Sequence, residues 1–174
     1  MRRRPDQLST AEWAVLALVD EGPTHGFAIA RSMAPGGDVG RIWAMRRPLV
    51  YRTLEVLEGR ELTRRAGTEA STAGPQRTLL ETTDDGARRV AEWLAEPVEH
   101  VRDARSELML KLLFLDRRNA DAGALLTAQR ERFSAHEEQL RETLGEAEGF
   151  ARTLALWRVE NTSAAVRFVD ALGH

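Results

Sequence analysis

Side chains that can bind nucleic acid cluster around one predicted helix. They are Arg46, Arg47, Tyr51 and Arg52. Val50, Leu54 and Leu57 recur at spacings of four and three residues, which predicts the inner stripe of a helix whose start carries these side chains. Arginine can bind a guanine edge through two hydrogen bonds, and tyrosine can reach a phosphate or a base. The pattern favours a DNA-reading helix, and solvated charges on an ordinary helix remain the alternative.

A β-hairpin is predicted directly after this helix. Residues 62–65 and 78–82 have strand character, and residues 66–76 between them are rich in Gly, Pro, Ser and Thr, which is typical of a loop. Its candidate DNA-contacting side chains are Arg64, Arg65 and Arg77. Arginines in such a position bind phosphate or the minor groove. The alternative is an exposed hairpin whose arginines only keep it soluble.

The elements that must position these residues are predicted from capping and turn patterns. Ser9 and Glu12 form a capping box for a first helix, and Thr24 is the predicted cap of a second one. Phe27 is expected on the inner face of that second helix. Residues 41–43 are expected to form a short strand, and Pro48 suits the first turn of the third helix. Three helices, a hairpin and a fourth helix from Thr83 predict a winged helix-turn-helix.

The chain becomes helical throughout after Pro97, and its last segment carries a heptad seam. The seam positions are Phe150, Leu154, Trp157, Asn161, Ala164 and Phe168. Their 4-3 spacing predicts a coiled coil or helix pair, and a single Asn on such a seam often fixes its register. Dimerisation through this seam is therefore expected. Trp157 is also the candidate ligand-binding aromatic, with plain dimer core as the alternative.

Composition limits the other function classes. The chain has 174 residues, no cysteine and a formal net charge of −2, so thiolate chemistry and disulfides are excluded. Residues 41–65 nevertheless hold seven arginines against three glutamates, which is a local basic patch. The four histidines have no metal-ligand spacing and no hydrolase or phosphate-loop motif occurs, so neither catalysis nor a bound metal or cofactor is expected. With no long apolar run, a cytoplasmic protein without membrane contact is predicted.

Four segments resemble the PadR-type transcriptional regulators. They are residues 8–18, 22–29, 50–58 and 83–86, which read LSTAEWAVLAL, GPTHGFAI, VYRTLEVLE and TDDG. Tyr51 lies at the family's tyrosine in the recognition helix. Two departures are that Arg46 stands where many relatives have a capping serine, and that Leu79 and Leu80 replace aromatic residues of the second wing strand. The first is expected to alter base preference and the second to repack the wing.

The resemblance implies a mainly α fold with two domains. Residues 1–96 would form a winged helix-turn-helix DNA-binding domain with a small β-hairpin wing, and residues 97–174 a helical dimerisation domain. It implies a non-enzymatic homodimer that binds a palindromic operator in double-stranded DNA, usually as a repressor released by a small-molecule ligand. The rival hypotheses are a winged-helix protein-interaction module that does not read DNA, and a small ligand-binding or enzymatic helical protein.

Overall fold

Two compact units divide the chain, Met1–Leu94 and Ala95–His174. The structure is a computed structural model that describes residues 7–69 and 77–173. In the first unit the elements are α1 (Thr10–Asp20), α2 (Gly26–Ser32), α3 (Arg47–Gly59), β1 (Thr63–Glu69), β2 (Arg77–Thr82) and α4 (Asp84–Ala95). Three helices, an antiparallel hairpin and a closing helix make this unit a winged helix-turn-helix.

The start of α1 matches its predicted capping box. The Ser9 hydroxyl accepts a hydrogen bond from the Glu12 amide, and the Glu12 carboxylate accepts one from the Ser9 amide. Two of the amides that a helix start leaves without intrahelical partners are therefore satisfied. The helix buries six consecutive residues, Ala14–Val19, in the core of the unit.

The start of α2 differs from its prediction. His25, and not Thr24, is the N-cap, and its Nδ1 accepts a hydrogen bond from the Ala28 amide at 3.0 Å. Thr24 instead forms an antiparallel bridge with Leu80 of β2 through hydrogen bonds of 3.0 and 2.7 Å. The predicted strand at residues 41–43 is wrong, since these residues lie in turns. The extended segment that joins the hairpin comes from Thr24.

The hairpin is held against the helices on both sides. Its strands pair from Thr63–Thr82 to Glu69–Arg77, with a bulge between Arg65 and Gly67. Thr82 donates a hydrogen bond to Asp20 at the end of α1, and the Thr83 hydroxyl caps α4 by accepting from the Gly86 amide. Strand β1 continues to Glu69, so the predicted loop begins later than residue 66. Residues 70–76 of that loop lie outside the described residues.

Two tryptophans join α1 to α4. The rings of Trp13 and Trp93 are stacked, with centroids 5.3 Å apart and planes 8° from parallel. Trp93 is buried. Such a pair contributes about 0.5–1.5 kcal/mol beyond the burial of its area. It ties the helix that follows the wing to the helix that opens the unit.

Every regular element in the described residues of the second unit is helical. Its elements are a short α5 (Val101–Asp103), a π-helical turn (Ala104–Leu108), α6 (Met109–Arg117), α7 (Gly123–Glu146) and α8 (Gly149–Leu172). Leu108, Leu125, Leu126, Phe133 and Val169 form most of one buried cluster in its core. Helices α7 and α8 pack along each other, and the turn predicted at residues 145–149 joins them.

Two buried polar side chains fasten the segment that opens this unit. The Gln129 amide bonds both backbone groups of Val98, donating to its oxygen at 3.1 Å and accepting from its nitrogen at 2.7 Å. Lys111, which is 1% exposed, donates to the Glu96 carbonyl at 2.5 Å. Burial lowers the pKa of Lys111, although Glu107 and Glu96 act in the opposite direction. The backbone of residues 96–98 is thus fixed by side chains from α6 and α7.

One hydrogen-bonded cluster joins α7 to α8. Glu137 accepts hydrogen bonds from the Ser163 hydroxyl and from Arg141, the latter at 2.5 Å. The Ser163 hydrogen bond, followed by that of Arg141, lowers the pKa of the Glu137 carboxyl. Each donor favours the ionised carboxylate, so the cluster is held together at neutral pH.

Neither a membrane span nor a metal cluster is found in the described residues. No helix there is both long and apolar enough to cross a bilayer. Nor do residues 7–69 and 77–173 bring together three acidic, histidine or cysteine side chains in a group able to hold a metal ion.

Candidate nucleic-acid interface

Helix α3 presents an arginine-rich face to solvent. Val50, Leu54 and Leu57 are buried as predicted, and Pro48 lies in the first turn. The four predicted DNA-contacting residues of this segment, Arg46, Arg47, Tyr51 and Arg52, are all exposed. Arg46 is the N-cap residue, and its side chain makes no capping hydrogen bond in the described part of the chain. Its guanidinium is therefore not used to close the helix.

Aromatic rings hold two of the arginines at this face. The guanidinium carbon of Arg47 lies 5.6 Å from the ring centroid of Phe27 and 5.6 Å from that of Tyr51. Arg77, from the first position of β2, lies 5.5 Å from the same Phe27 ring. These are cation–π distances, each contributing about 0.5–1 kcal/mol at an exposed site. Phe27 thus brings an arginine of α3 and an arginine of the hairpin together.

Gly26 leaves room for the tyrosine. A Cβ atom at this position would lie 2.8 Å from Cε1 of Tyr51 and 3.4 Å from Cδ1 of Leu54. Helix α2 therefore approaches α3 closely here, and the Tyr51 ring lies over the glycine. Its ring orientation, and through it the position of Arg47, depends on the absence of a side chain at residue 26.

The other two hairpin arginines are engaged in ion pairs. Arg64 lies 2.7 Å from Glu81 across the hairpin, and Arg65 lies 2.9 Å from Glu58 on α3. They point to opposite faces because successive strand residues alternate. The arginine side chains are 64% and 69% exposed, and exposed pairs of this kind contribute about 0–1 kcal/mol. A phosphate can displace either glutamate at small cost.

The seam of α8 is exposed in the single chain. Phe150 is 81% exposed and Trp157 64%, and Leu154 and Phe168 are more than a third exposed. Asn161 and Ala164 are also exposed, and the Asn161 amide donates to the Trp157 carbonyl at 2.7 Å. The opposite face, which includes Ala155, Val159 and Val169, is buried. One helix therefore has a buried face and a separate apolar face open to solvent.

A cleft in the second unit lies apart from Trp157. It has a volume of about 420 Å³ and is lined by residues that include Leu126, Arg130, Val169 and Asp170. Arg130 and Asp170 are ion-paired at 2.5 Å. Trp157, the predicted ligand-binding aromatic, is not part of this lining.

Comparisons with known proteins give one curated relative. No protein-family model matches the chain. A probable transcriptional regulator of Mycobacterium tuberculosis is 28% identical over 96 residues, which cover 55% of this chain and 49% of that protein. The match therefore spans about half the length of this curated relative.

Comparison with solved structures gives alignments over nearly the whole chain. PadR of Bacillus subtilis in complex with operator DNA is 19% identical, covers 94% of this chain and 97% of its own, and has a TM-score of 0.48. The PadR-like regulator of Bacillus cereus is 20% identical with coverage of 92% and 94% and a TM-score of 0.40. The chain is similar to PadR-type regulators.

Two residues at the start of α2 differ in role from the prediction. Phe27 was expected inside, but it is 47% exposed and contacts both arginines. Its distance of two residues from buried Ile29, about 200° around a helix, was a signal for the outer face. His25 was missed as a cap because a ring nitrogen caps less commonly than the Thr24 hydroxyl.

Proposed function

We propose that this chain is a PadR-type transcriptional regulator that binds DNA sequence-specifically as a homodimer. The observation that carries the proposal is the cluster at the start of α3. Exposed Arg46, Arg47 and Arg52 lie on the helix that a winged helix-turn-helix inserts into the major groove. Arg77 reaches the same surface from the wing. No residue in this proposal has a catalytic role.

Dimerisation is proposed through α8. Its exposed apolar seam has heptad spacing, and a partner copy of the same helix would cover it. Two-fold symmetry of the protein then requires a palindromic operator, since each subunit presents one recognition helix to one half-site. Residues 1–96 act as the DNA-binding domain and residues 97–174 as the dimerisation domain.

Selection of bound sequences from random duplex DNA tests the proposal. The full chain is incubated with the library at low salt, and bound duplexes are recovered through several rounds with increasing salt. A palindromic consensus with half-sites about 10 base pairs apart, or a multiple of that, is the expected result. Binding without enrichment of any sequence would contradict sequence-specific regulation.

We further propose that the regulator represses transcription and that a small molecule releases it. The 64% exposed ring of Trp157 suits a planar or cationic ligand, because aromatic faces bind both. A ligand releases DNA only if it binds one arrangement of the dimer better than the DNA-bound one. A variant in which Trp13, Trp43 and Trp93 are replaced by Phe leaves Trp157 as the single fluorophore. Quenching that accompanies operator release supports the switch, and quenching without release contradicts it.

A winged-helix protein-interaction module is the second candidate. The exposed apolar residues of α3, Leu49 at 51% and Val56 at 37%, favour this alternative, as do the glutamate partners of Arg64 and Arg65. The two candidates differ in salt dependence. DNA binding weakens steeply as salt rises because condensed counterions are released, whereas an apolar protein contact changes little.

A further inference from the structure

His25 and Arg77 direct hydrogen-bond donors at the same point. His25 Nε2 lies 3.1 Å from a terminal guanidinium nitrogen of Arg77. Because Nδ1 accepts the Ala28 amide hydrogen, it has no proton, so the neutral ring carries its proton on Nε2. Guanidinium nitrogens are donors only. Each group therefore presents a hydrogen to the other, and an anionic oxygen beside them would accept from both.

We propose that His25 and Arg77 together bind one phosphate of the DNA backbone, an inference that rests on the DNA-binding function proposed above. The Nε2–H of His25 donates one hydrogen bond and the Arg77 guanidinium donates a second to the same phosphate. Each backbone phosphate carries one negative charge and two exposed oxygens, so a single phosphate can accept both hydrogen bonds. The site fixes the register of the protein on the duplex and carries no base preference.

The surroundings of Arg77 support a phosphate contact. Arg64 and Arg65 each contact a glutamate of this chain, but the contacts of Arg77 among the described residues are the neutral His25 ring and the face of Phe27. Its charge is therefore available to a phosphate without the loss of an ion pair. The guanidinium is also oriented in advance, since Phe27 and His25 hold it from two sides.

Phe27 couples this contact to the recognition helix. Arg47 lies over the same ring as Arg77, with its guanidinium 5.6 Å from the Phe27 centroid. A phosphate bound by His25 and Arg77 would therefore lie beside the base-reading end of α3. Binding there sets how deeply that end enters the groove, which makes His25 a positioning residue for base reading.

Single methylphosphonate substitutions in the selected operator test the site. A methylphosphonate removes the charge of one phosphate and one of its acceptor oxygens. His25→Ser keeps a capping hydroxyl but is too short to reach the phosphate. Arg77→Gln removes the charge, and Arg64→Gln is the matched wing control. Thermal unfolding of each full-length variant verifies the fold.

We expect the effects of both variants to depend on the same phosphate of the operator. On the unmodified operator, His25→Ser and Arg77→Gln each weaken binding about tenfold, as loss of a hydrogen bond to a charged group predicts. A methylphosphonate at one phosphate per half-site weakens the wild type and has a smaller effect on each variant, because one of the two contacts to that phosphate is already lost, whereas Arg64→Gln keeps full sensitivity there. Of the two site variants, Arg77→Gln lowers the slope of log K against log salt by about 0.9, whereas His25→Ser leaves it unchanged.

Two outcomes overturn the inference. One is that both variants stay as sensitive as the wild type at every methylphosphonate position. The other is that they lose sensitivity at different phosphates, which would separate His25 from Arg77. Either result leaves sequence-specific binding by the wild type intact. If the wild type selects no operator at all, the proposed function itself fails.

Discussion

At the scale of single residues, the aromatic rings beneath the arginines decide which guanidinium group of α3 is held in place. Both arginines are exposed, but Arg47 is held between Phe27 and Tyr51, whereas Arg52 makes no such ring contact within the described residues. A held guanidinium loses less conformational entropy on binding than a freely rotating one. We therefore expect Arg47 to contribute more to affinity than Arg52 if both contact bases.

Replacement of Arg47 or Arg52 by Ala is expected to reduce specific binding by about 1–3 kcal/mol, the energy of a bidentate contact to guanine. Each variant is titrated with the selected operator and with a scrambled duplex at one salt concentration. The difference between the two binding free energies is the sequence-specific part. Arg102→Ala serves as the control, because Arg102 is an exposed arginine of the second unit. Wild-type discrimination by both α3 variants would contradict the placement of the recognition helix.

Lys111 is expected to make stability depend on alkaline pH. Burial lowers its pKa in the folded chain, while the unfolded chain titrates at the ordinary value of 10.5. Between the lowered value and 10.5 the unfolded state binds more protons, so the free energy of unfolding rises with pH through this window. Urea unfolding of the wild type and Lys111→Met between pH 7 and 10 measures the effect. The wild type should gain stability relative to the variant as pH rises, and a constant difference would contradict a buried ammonium.

At the scale of elements, the contact of the hairpin with α4 leaves no space for a side chain. A Cβ atom at Gly86 would lie 2.1 Å from the Leu62 carbonyl oxygen, which is backbone just before β1. The same turn is held by the Thr83 hydroxyl, which donates to the Glu61 carbonyl at 2.8 Å. The position of the hairpin beside α3 therefore depends on this glycine.

Gly86→Ala is expected to lower the free energy of unfolding by about 1–3 kcal/mol, because the backbone must shift to admit the methyl group. Gly145→Ala is the matched control in α7, where a new Cβ would meet nothing within 4 Å. It should raise stability by about 0.5–1 kcal/mol through reduced backbone entropy of the unfolded chain. Chemical denaturation measures both. Equal effects of the two changes would show that the hairpin tolerates displacement from α4.

Sequence patterns predicted those features of the helices that depend only on neighbouring residues. The capping box of α1, Pro48 in the first turn of α3 and the buried stripe Val50, Leu54 and Leu57 depend on residues within one or two helical turns. Thr24 was predicted wrongly because its role is set by Leu80, which is 56 residues away in the chain. The Trp13–Trp93 stack and the contact of Arg77 with the Phe27 ring are long-range contacts of the same kind, and no local spacing indicates them.

At the scale of the whole molecule, α8 has two faces with different roles. The buried face completes the core of the second unit, and the exposed seam is proposed to bind a second copy of the chain. Leu154 and Leu156 allow the seam to be tested separately from the rest of the exposed surface of α8. Both are exposed, at 39% and 47%, but two residues along a helix place them about 200° apart.

Leu154→Glu is expected to convert the dimer to a monomer, because a charge buried at the seam of both copies is strongly unfavourable. Operator affinity should fall greatly, since one half-site replaces two. Leu156→Glu introduces the same charge away from the seam and should leave both properties unchanged. Sedimentation velocity measures the mass of each variant. An intact Leu154→Glu dimer would refute the α8 interface.

Cleavage at Lys111 also provides a measure of how often the second unit opens. Lys111 is the single lysine of the sequence, so an endopeptidase specific for lysine has one target bond, between Lys111 and Leu112. That bond lies inside α6 with the lysine buried, and cleavage therefore requires the second unit to open. Where reclosing is faster than cutting, the rate of appearance of two fragments measures the free energy of opening. DNA or an effector that binds only the closed unit would slow the cut by a factor of 1 + L/Kd, where L is the free ligand concentration, with no label attached to the protein.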